Sequence, residues 1–218
     1  QAVVDLVKRM GITTKIDPVP SICLGTADIS VLEMVGANST FANRGRWIEP
    51  IFVTRIEDKN GKVLEEFVPK SEEVFSEEKA YVMTQLMRGV VQMGTGTRLK
   101  SKFQLTNPIA GKTGTTQNNA DGWFMGLTPD LVAGCWVGGE DRSVHFNSTA
   151  EGQGASMALP IWGKFFQKVY ADKTIKISKD DFFRPARMSE VELDCDKYDQ
   201  ETQNIFEEEA IDKDPFDL

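Results

Sequence analysis

The chain has 218 residues, of which 40% are hydrophobic, and a formal net charge of −8. This length and apolar content suit one good core, alone or with an appendage. The acidic balance offers no basic stripe for phosphates, so no nucleic-acid partner is expected, and no apolar run approaches the roughly 20 residues that cross a bilayer.

The first two helices are predicted from apolar spacing and end signals. Apolar side chains recur at helical spacing from Val3 to Met10, and Gly11 ends that pattern. Because this helix starts without a cap or a lead-in, we expect the chain to be part of a longer polypeptide. A second helix begins after Asp28 or Ser30, either of which can cap it, and ends by Gly45.

A hairpin and a third helix follow. Residues 47–57 and 63–67 alternate as two strands, and an Asn60–Gly61 pair predicts the turn that joins them. Ser76 is typical of a helix cap, and apolar spacing predicts a helix over 78–93. The glycines at 94 and 96 then turn the chain back.

Residues 108–139 read as three strands joined by tight turns, which favours an antiparallel meander with residues 109–115 next to residues 122–127. Residues 139–155 form a polar, glycine-rich loop, long enough to be the rim of a site. A last helix over 158–170 places Pro160 in its first turn. From about residue 177 onward acidic residues dominate, and we expect an irregular tail.

The first of these strands carries unusual chemistry. Lys112 supplies a positive charge beside hydroxyls at Thr113 and Thr115, while Gly111 and Gly114 remove side chains from the strand. This pattern predicts an edge to which an extended, anionic peptide adds as a further strand.

Two other interpretations of this strand are possible from its residues. A phosphate-binding loop also ends in Gly-Lys-Thr, but its first glycine belongs five residues before Gly111, where this chain has Thr106. The remaining alternative is an ordinary exposed hairpin with an isolated lysine.

Three separated blocks carry a family resemblance. The three strands predicted over residues 108–139 resemble the Lys-Thr-Gly block of penicillin-recognising serine acyltransferases. The matching segments are Ala110-Gly-Lys-Thr-Gly-Thr-Thr116, Asp121-Gly-Trp-Phe124 and Trp136-Val-Gly138. The second helix, which ends in Phe41-Ala-Asn43-Arg-Gly45, is similar to one in class A penicillin-binding proteins. It departs from their pattern at Asn38 and Arg44. The last helix resembles the last helix of that family.

The resemblance implies an α+β fold, with an antiparallel sheet flanked by helices as part of a β-lactamase/transpeptidase-like fold. Residues 1–170 would be the C-terminal part of a transpeptidase domain, and residues 171–218 an acidic, mostly irregular tail. The implied parent protein is a serine-type D-Ala-D-Ala transpeptidase that cross-links peptidoglycan stem peptides and binds β-lactams. It would be anchored by an N-terminal helix on the periplasmic face of the inner membrane.

By the same resemblance, Lys112 supplies positive potential, and Thr113 and Thr115 hold the donor carboxylate. The N–H of Thr115 forms half of the oxyanion hole. Gly111, Gly114 and Thr116 are the expected substrate-binding neighbours.

The nucleophile of this family is expected to lie outside the sequence. The only Ser-x-x-Lys is Ser76 to Lys79, where two intervening glutamates keep the lysine solvated, and no Ser-x-Asn occurs. The chain alone is therefore predicted to be inactive, and its uncovered apolar face is predicted to self-associate.

The alternative functions are a carboxypeptidase, a β-lactamase and a non-catalytic peptide-binding module. His145 and the three scattered cysteines suggest neither a metal site nor a cofactor.

Overall fold

The structure is a computed structural model that describes residues 1–188, Leu193 and Lys197. No α-helix in this described part is long and apolar enough to cross a membrane. The α-helices are α1 (Ala2–Arg9), α2 (Val31–Ala42), α3 (Glu77–Gln92), α4 (Arg98–Ser101), α5 (Thr149–Gly152) and α6 (Gly154–Ala171).

The strands form small antiparallel sheets. They are β1 (Arg46–Ile48), β2 (Arg55–Glu57), β3 (Val63–Glu66), β4 (Ser71–Glu73), β5 (Ala110–Thr115), β6 (Asp121–Leu127) and β7 (Val132–Gly138). β1 pairs with β4, β2 pairs with β3, and the largest sheet has the order β5-β6-β7. In that sheet Ala110 lies opposite Leu127 and Thr115 lies opposite Gly122, so the predicted adjacency of the first two strands of the meander is confirmed.

Helix α6 covers one face of the three-stranded sheet with aromatic side chains. Trp162 stacks on Phe166, with 3.8 Å between ring centroids, and meets Phe124 of β6 edge-on at 5.3 Å. Each of the three is at most 2% exposed, and full burial of a ring of this size is worth about 2–3 kcal/mol. A Cβ on Gly126 would overlap the Trp162 indole, so glycine at this position lets the helix lie close to the strand.

Helices α2 and α3 pack on the opposite side of the sheet. Neighbouring residues of a strand face opposite ways, so Met125 points away from α6. A Cβ on Gly134 would meet both Met125 and Val35 of α2. Helix α3 packs mainly against β5. The sheet is therefore held between two helical layers.

The predicted strand over residues 47–57 is wrong, because the structure divides it into β1 and β2. Pro50 follows β1 and has no N–H to donate to a ladder, which ends the pairing there. The chain then forms the predicted hairpin, in which Arg55 lies opposite Glu66.

Helix α3 lies where it was predicted, whereas α6 begins four residues earlier than expected. Pro160 is consequently the seventh residue of α6 and not a first-turn residue. The predicted loop over 139–155 likewise contains α5 and the start of α6. The cause lies outside the local sequence, because the N–H of Gly154 donates to the Thr115 hydroxyl of β5, 3.1 Å away.

Residues 172–188 form no helix or strand. Phe182 nevertheless packs in a buried cluster with Met87, Ala110 and Leu127, and Arg88 forms an ion pair with Asp181 at 3.0 Å. The remainder of the predicted tail lies outside the described residues, apart from Leu193 and Lys197. The predicted division at residue 170 stays a prediction.

Helix α2 is capped as its sequence suggests, and its cap also fixes the preceding loop. The Ser30 hydroxyl accepts from the N–H of Glu33, and the Glu33 carboxylate accepts from the N–H and hydroxyl of Ser30, completing a capping box. The same carboxylate accepts from the backbone N–H groups of Thr13 and Thr14 at 2.9 and 2.8 Å. Burial alone would raise the pKa of Glu33, but the hydrogen bonds from Thr14, Ser30 and Thr13 outweigh it and hold that pKa well below its usual range.

Replacing Glu33 with Gln should destabilise the chain by about 1 kcal/mol, since several donors lose a charged acceptor at a partly exposed site. A carboxylate with a lowered folded pKa stabilises fully above its unfolded value of about 4.3 and loses that contribution as pH falls below it. Denaturant unfolding at pH 7 and pH 3 measures both effects. The difference between wild type and Glu33→Gln should shrink at pH 3, and an equal difference at both pH values would contradict this role.

Candidate active site

The predicted site residues lie on β5, an edge strand of the three-stranded sheet. One edge of β5 pairs with β6, and no other described strand pairs with it. Lys112 and Thr115 are exposed, while Thr113 and Gly114 are half-buried. The structure therefore places Lys112, Thr113 and Thr115 along an open edge and not inside a closed cavity, whereas Gly111 is buried and Thr116 follows the end of β5.

Hydrogen bonds show which backbone groups face that edge. The Thr116 N–H donates to the Asp121 carbonyl across the turn at 3.1 Å, so even-numbered residues of β5 bond toward β6. The Lys112 ammonium donates to the Thr113 carbonyl at 2.7 Å. Because peptide groups alternate along a strand, the Thr113 carbonyl and the Thr115 N–H point to the open edge. A positive charge and a backbone donor thus lie close together there.

The two threonine hydroxyls are each held by another part of the fold. Thr113 Oγ1 lies 2.7 Å from Thr95 Oγ1, and Thr115 Oγ1 accepts the Gly154 N–H at the start of α6. A hydroxyl has one donor hydrogen and two acceptor sites. Since Thr115 is used here as an acceptor, its own hydrogen remains available for an anion.

The side chains of Lys112 and of the two threonines leave β5 on opposite faces of the sheet. Strand alternation places the side chains of Thr113 and Thr115 on the face covered by α6, and that of Lys112 on the face covered by α2 and α3. The long lysine side chain returns to the edge to reach the Thr113 carbonyl. A ligand lying along this edge would therefore have hydroxyls on one side and an ammonium group on the other.

The two glycines of β5 serve the packing of the sheet. A Cβ on Gly111 would meet the Met125 carbonyl and the Phe124 ring at 2.8 Å, and one on Gly114 would lie 3.1 Å from Trp123 Cβ. From the sequence, both glycines were expected to remove side chains from the strand beside a bound substrate. The contacts seen here supply a different reason, and the substrate-binding role of Gly111 and Gly114 stays a prediction.

Thr116 lies apart from the open edge. Its hydroxyl accepts the Asp121 N–H at 2.9 Å and donates to the Asp121 carboxylate at 3.2 Å, which closes the turn between β5 and β6. The same carboxylate accepts from the Trp136 indole of β7 at 2.9 Å and lies near Arg142, which also pairs with Asp28. Thr116 thus fixes the end of the strand, and its part in substrate binding stays a prediction.

Sequence reasoning missed two partners of this site, Thr95 and Gly154. The local sequence places Thr95 only in a glycine-rich helix end and Gly154 only in a polar loop. Neither position has a local signal for contact with β5, because each contact joins segments well separated in sequence.

Ser76 is a helix cap in the structure. Its side chain accepts from the Lys79 N–H at 3.4 Å, and both residues are exposed.

Burial raises the pKa of the half-buried Cys135 thiol, which keeps it neutral at pH 7. Among the described residues, no group of three or more His, Cys, Asp or Glu side chains could hold a metal ion.

Comparison with known proteins relates most of the chain to one protein family. The family described as "Penicillin binding protein transpeptidase domain" matches residues 19–135. Penicillin-binding protein 1A of Aquifex aeolicus is 37% identical over 169 residues, which cover 78% of this chain and 22% of that relative. Penicillin-binding protein 2D of Bacillus subtilis is 36% identical, over 73% of this chain and 23% of its own length. The chain thus spans under a quarter of these relatives.

The fold has a close counterpart among solved structures. PonA1 from Mycobacterium tuberculosis in complex with penicillin V aligns with a TM-score of 0.70 and 25% identity, over 86% of this chain and 53% of that one. This likeness confirms the expected fold class, an antiparallel sheet flanked by helices of the transpeptidase type.

Replacing Gly154 with Ala should destabilise the fold by about 2 kcal/mol, because the added Cβ would overlap the Gly114 carbonyl and the Trp123 backbone. Backbone atoms cannot relieve this overlap by a change of rotamer, as a side chain can. Gly89→Ala in α3 is the matched control, since nothing lies within 4 Å of its Cβ and alanine favours a helix interior. Denaturant unfolding of both variants is the measurement, and equal stability of the two would refute the close contact.

Proposed function

The chain belongs to the penicillin-binding protein transpeptidase family, and we propose that it supplies the substrate-holding strand of a peptidoglycan D,D-transpeptidase. In this proposal, the donor stem peptide lies along the open edge of β5. Its terminal carboxylate is held by the hydroxyls of Thr113 and Thr115, and β-lactams enter the same place.

The pair of oriented hydroxyls carries this proposal. Thr115 is fixed as an acceptor by the Gly154 N–H, so its hydrogen is free to bond a carboxylate oxygen. Thr113 lies on the same side of the strand. Donors that are already oriented bind an anion without first breaking other arrangements, which is the basis of electrostatic preorganisation.

Lys112 and the backbone supply the electrostatic part of the reaction. The ammonium group lies at the open edge beside the Thr113 carbonyl, where it stabilises negative charge developing on a substrate. The Thr115 N–H points to the same edge and would be one of two donors to the oxyanion of a tetrahedral intermediate. Both interactions strengthen as charge develops, so they favour the transition state over the bound substrate.

The nucleophile belongs, in this proposal, to another part of a longer polypeptide. The Ser76 hydroxyl is used as a cap and Lys79 is exposed, so this pair lacks the desolvated lysine that would activate a serine. A serine elsewhere would attack the D-Ala-D-Ala amide, expel D-alanine and pass the acyl group to an amine of a second stem peptide. The 218 residues alone would bind without cleaving.

The expected setting follows from this substrate. Peptidoglycan is cross-linked outside the cytoplasm, so we place the full-length protein in the cell envelope, on the outer face of the inner membrane. A hydrolase of the same superfamily would differ in using water in place of the acceptor amine. Self-association of the chain also stays a prediction.

Lys112→Ala in the full-length polypeptide should lower the rate of acylation by penicillin by at least about 100-fold, the typical effect of removing one donor to developing charge. Folding should be unaffected, because the side chain is exposed. Time-resolved labelling with a fluorescent penicillin measures the rate.

Lys100→Ala is the matched control for that experiment. Lys100 is an exposed lysine on α4, so its loss removes the same charge from the surface without touching β5. Acylation should remain near the wild-type rate. Equal rates for Lys112→Ala and Lys100→Ala would show that Lys112 is an ordinary surface residue.

A further inference from the structure

The loop after α3 brings a third hydroxyl to β5. Thr95 Oγ1 lies 2.7 Å from Thr113 Oγ1, and either atom can be the donor. Thr95 is exposed and Thr113 is half-buried, so this pair lies at the surface of the edge that the proposed function assigns to the substrate.

The position of Thr95 is set by its two glycine neighbours. The N–H groups of Gly94 and Gly96 both donate to the Val90 carbonyl, at 3.2 and 2.9 Å. A Cβ on Gly94 would lie 3.0 Å from Val90 Cα, and one on Gly96 would lie 3.1 Å from the Val90 carbonyl oxygen. The loop is thereby folded tightly onto the end of α3, which packs against β5. The end of α3 therefore fixes the position of Thr95.

We propose that Thr95 is a positioning residue of the carboxylate site, acting by donating its hydroxyl hydrogen to the Thr113 hydroxyl. This inference rests on the proposed function. With its acceptor site occupied by Thr95, Thr113 directs its own hydrogen outward to the substrate carboxylate. Thr115 is arranged in the same way by the Gly154 N–H, which can only donate. Both hydroxyls are thus oriented before the substrate arrives.

A role through Thr113 makes a specific prediction about which substrates are affected. The contact orients a donor to a carboxylate, so its loss weakens binding of ligands that carry one. A β-lactam methyl ester offers no such charge and should be insensitive to Thr95. The chemical step should also be spared, because the carboxylate is bound equally before and during acylation.

The test measures acylation of the full-length polypeptide by penicillin G and by its methyl ester, resolving the dissociation constant from the acylation rate constant. Thr95→Val, which removes the hydroxyl at constant shape, should raise the dissociation constant for penicillin G about three- to tenfold, the range for one neutral hydrogen bond. The rate constant and the reaction with the ester should be unchanged. Thr95→Ser should restore the wild-type value.

A double-mutant cycle separates this role from a direct contact between Thr95 and the substrate. In a Thr113→Val background, Thr95→Val should cost nothing further, since the hydroxyl that it orients is gone. Full additivity would overturn the positioning role in favour of direct contact. Thr97→Val is the matched control in the same loop, because the Thr97 side chain makes no capping bond to α4, and it should leave binding unchanged.

The remaining outcomes are decisive as well. An equal loss with penicillin G and its ester would show a general loss of loop structure and overturn the proposal. An unchanged dissociation constant in Thr95→Val, with normal acylation of the wild type, would overturn this inference and leave the proposed function standing. A wild type that is not acylated at all would overturn both.

Discussion

The contact between the first residue of α6 and the seam of β5 and β6 is the constraint on which the rest of the structure depends. Gly154 lies against the Gly114 carbonyl and the Trp123 backbone, where no side chain fits. Its N–H simultaneously donates to the Thr115 hydroxyl. From that point α6 runs over the sheet and buries Trp162 and Phe166. One contact therefore sets both the distance of the helix from the sheet and the orientation of a hydroxyl at the candidate site, so the core and the site are not independent.

The site arises where packed elements meet an unpaired strand edge. Helix α6 holds Thr115 and the end of α3 holds Thr95, which lies against Thr113. Lys112 reaches the same edge on a long, exposed side chain, and its ammonium donates to the Thr113 carbonyl. Fixed hydroxyls suit the recognition of a carboxylate with fixed geometry, and an exposed ammonium suits negative charge that develops during reaction. On the proposed function, this arrangement would bind a carboxylate and stabilise charge, and the nucleophile would come from another part of a longer polypeptide.

The sequence predicted the parts of this structure that rest on local signals. Turn residues placed β5 beside β6, Ser76 capped α3, and Ser30, one of the two predicted candidates, capped α2. The errors have physical causes. Pro50 interrupts the expected long strand, and α6 starts early because its cap comes from Thr115 across the fold. Thr95 was missed for the same reason, since its partner lies on a strand that follows an intervening helix. Contacts made only in the folded chain leave no periodic pattern to read.

The most direct test of the account is intact-mass spectrometry after incubation with a reporter penicillin, applied to the 218-residue chain and to the full-length polypeptide. In the proposed function, β5 binds the carboxylate and stabilises charge, and the nucleophile lies in residues outside the chain. The isolated chain should therefore form no covalent adduct. The full-length polypeptide should gain one penicillin, and peptide mapping should place it at a serine outside residues 1–218. A stoichiometric adduct on Ser76 or any other serine of this chain would contradict the account, because the capped, solvent-exposed Ser76 to Lys79 pair would then be competent for acylation.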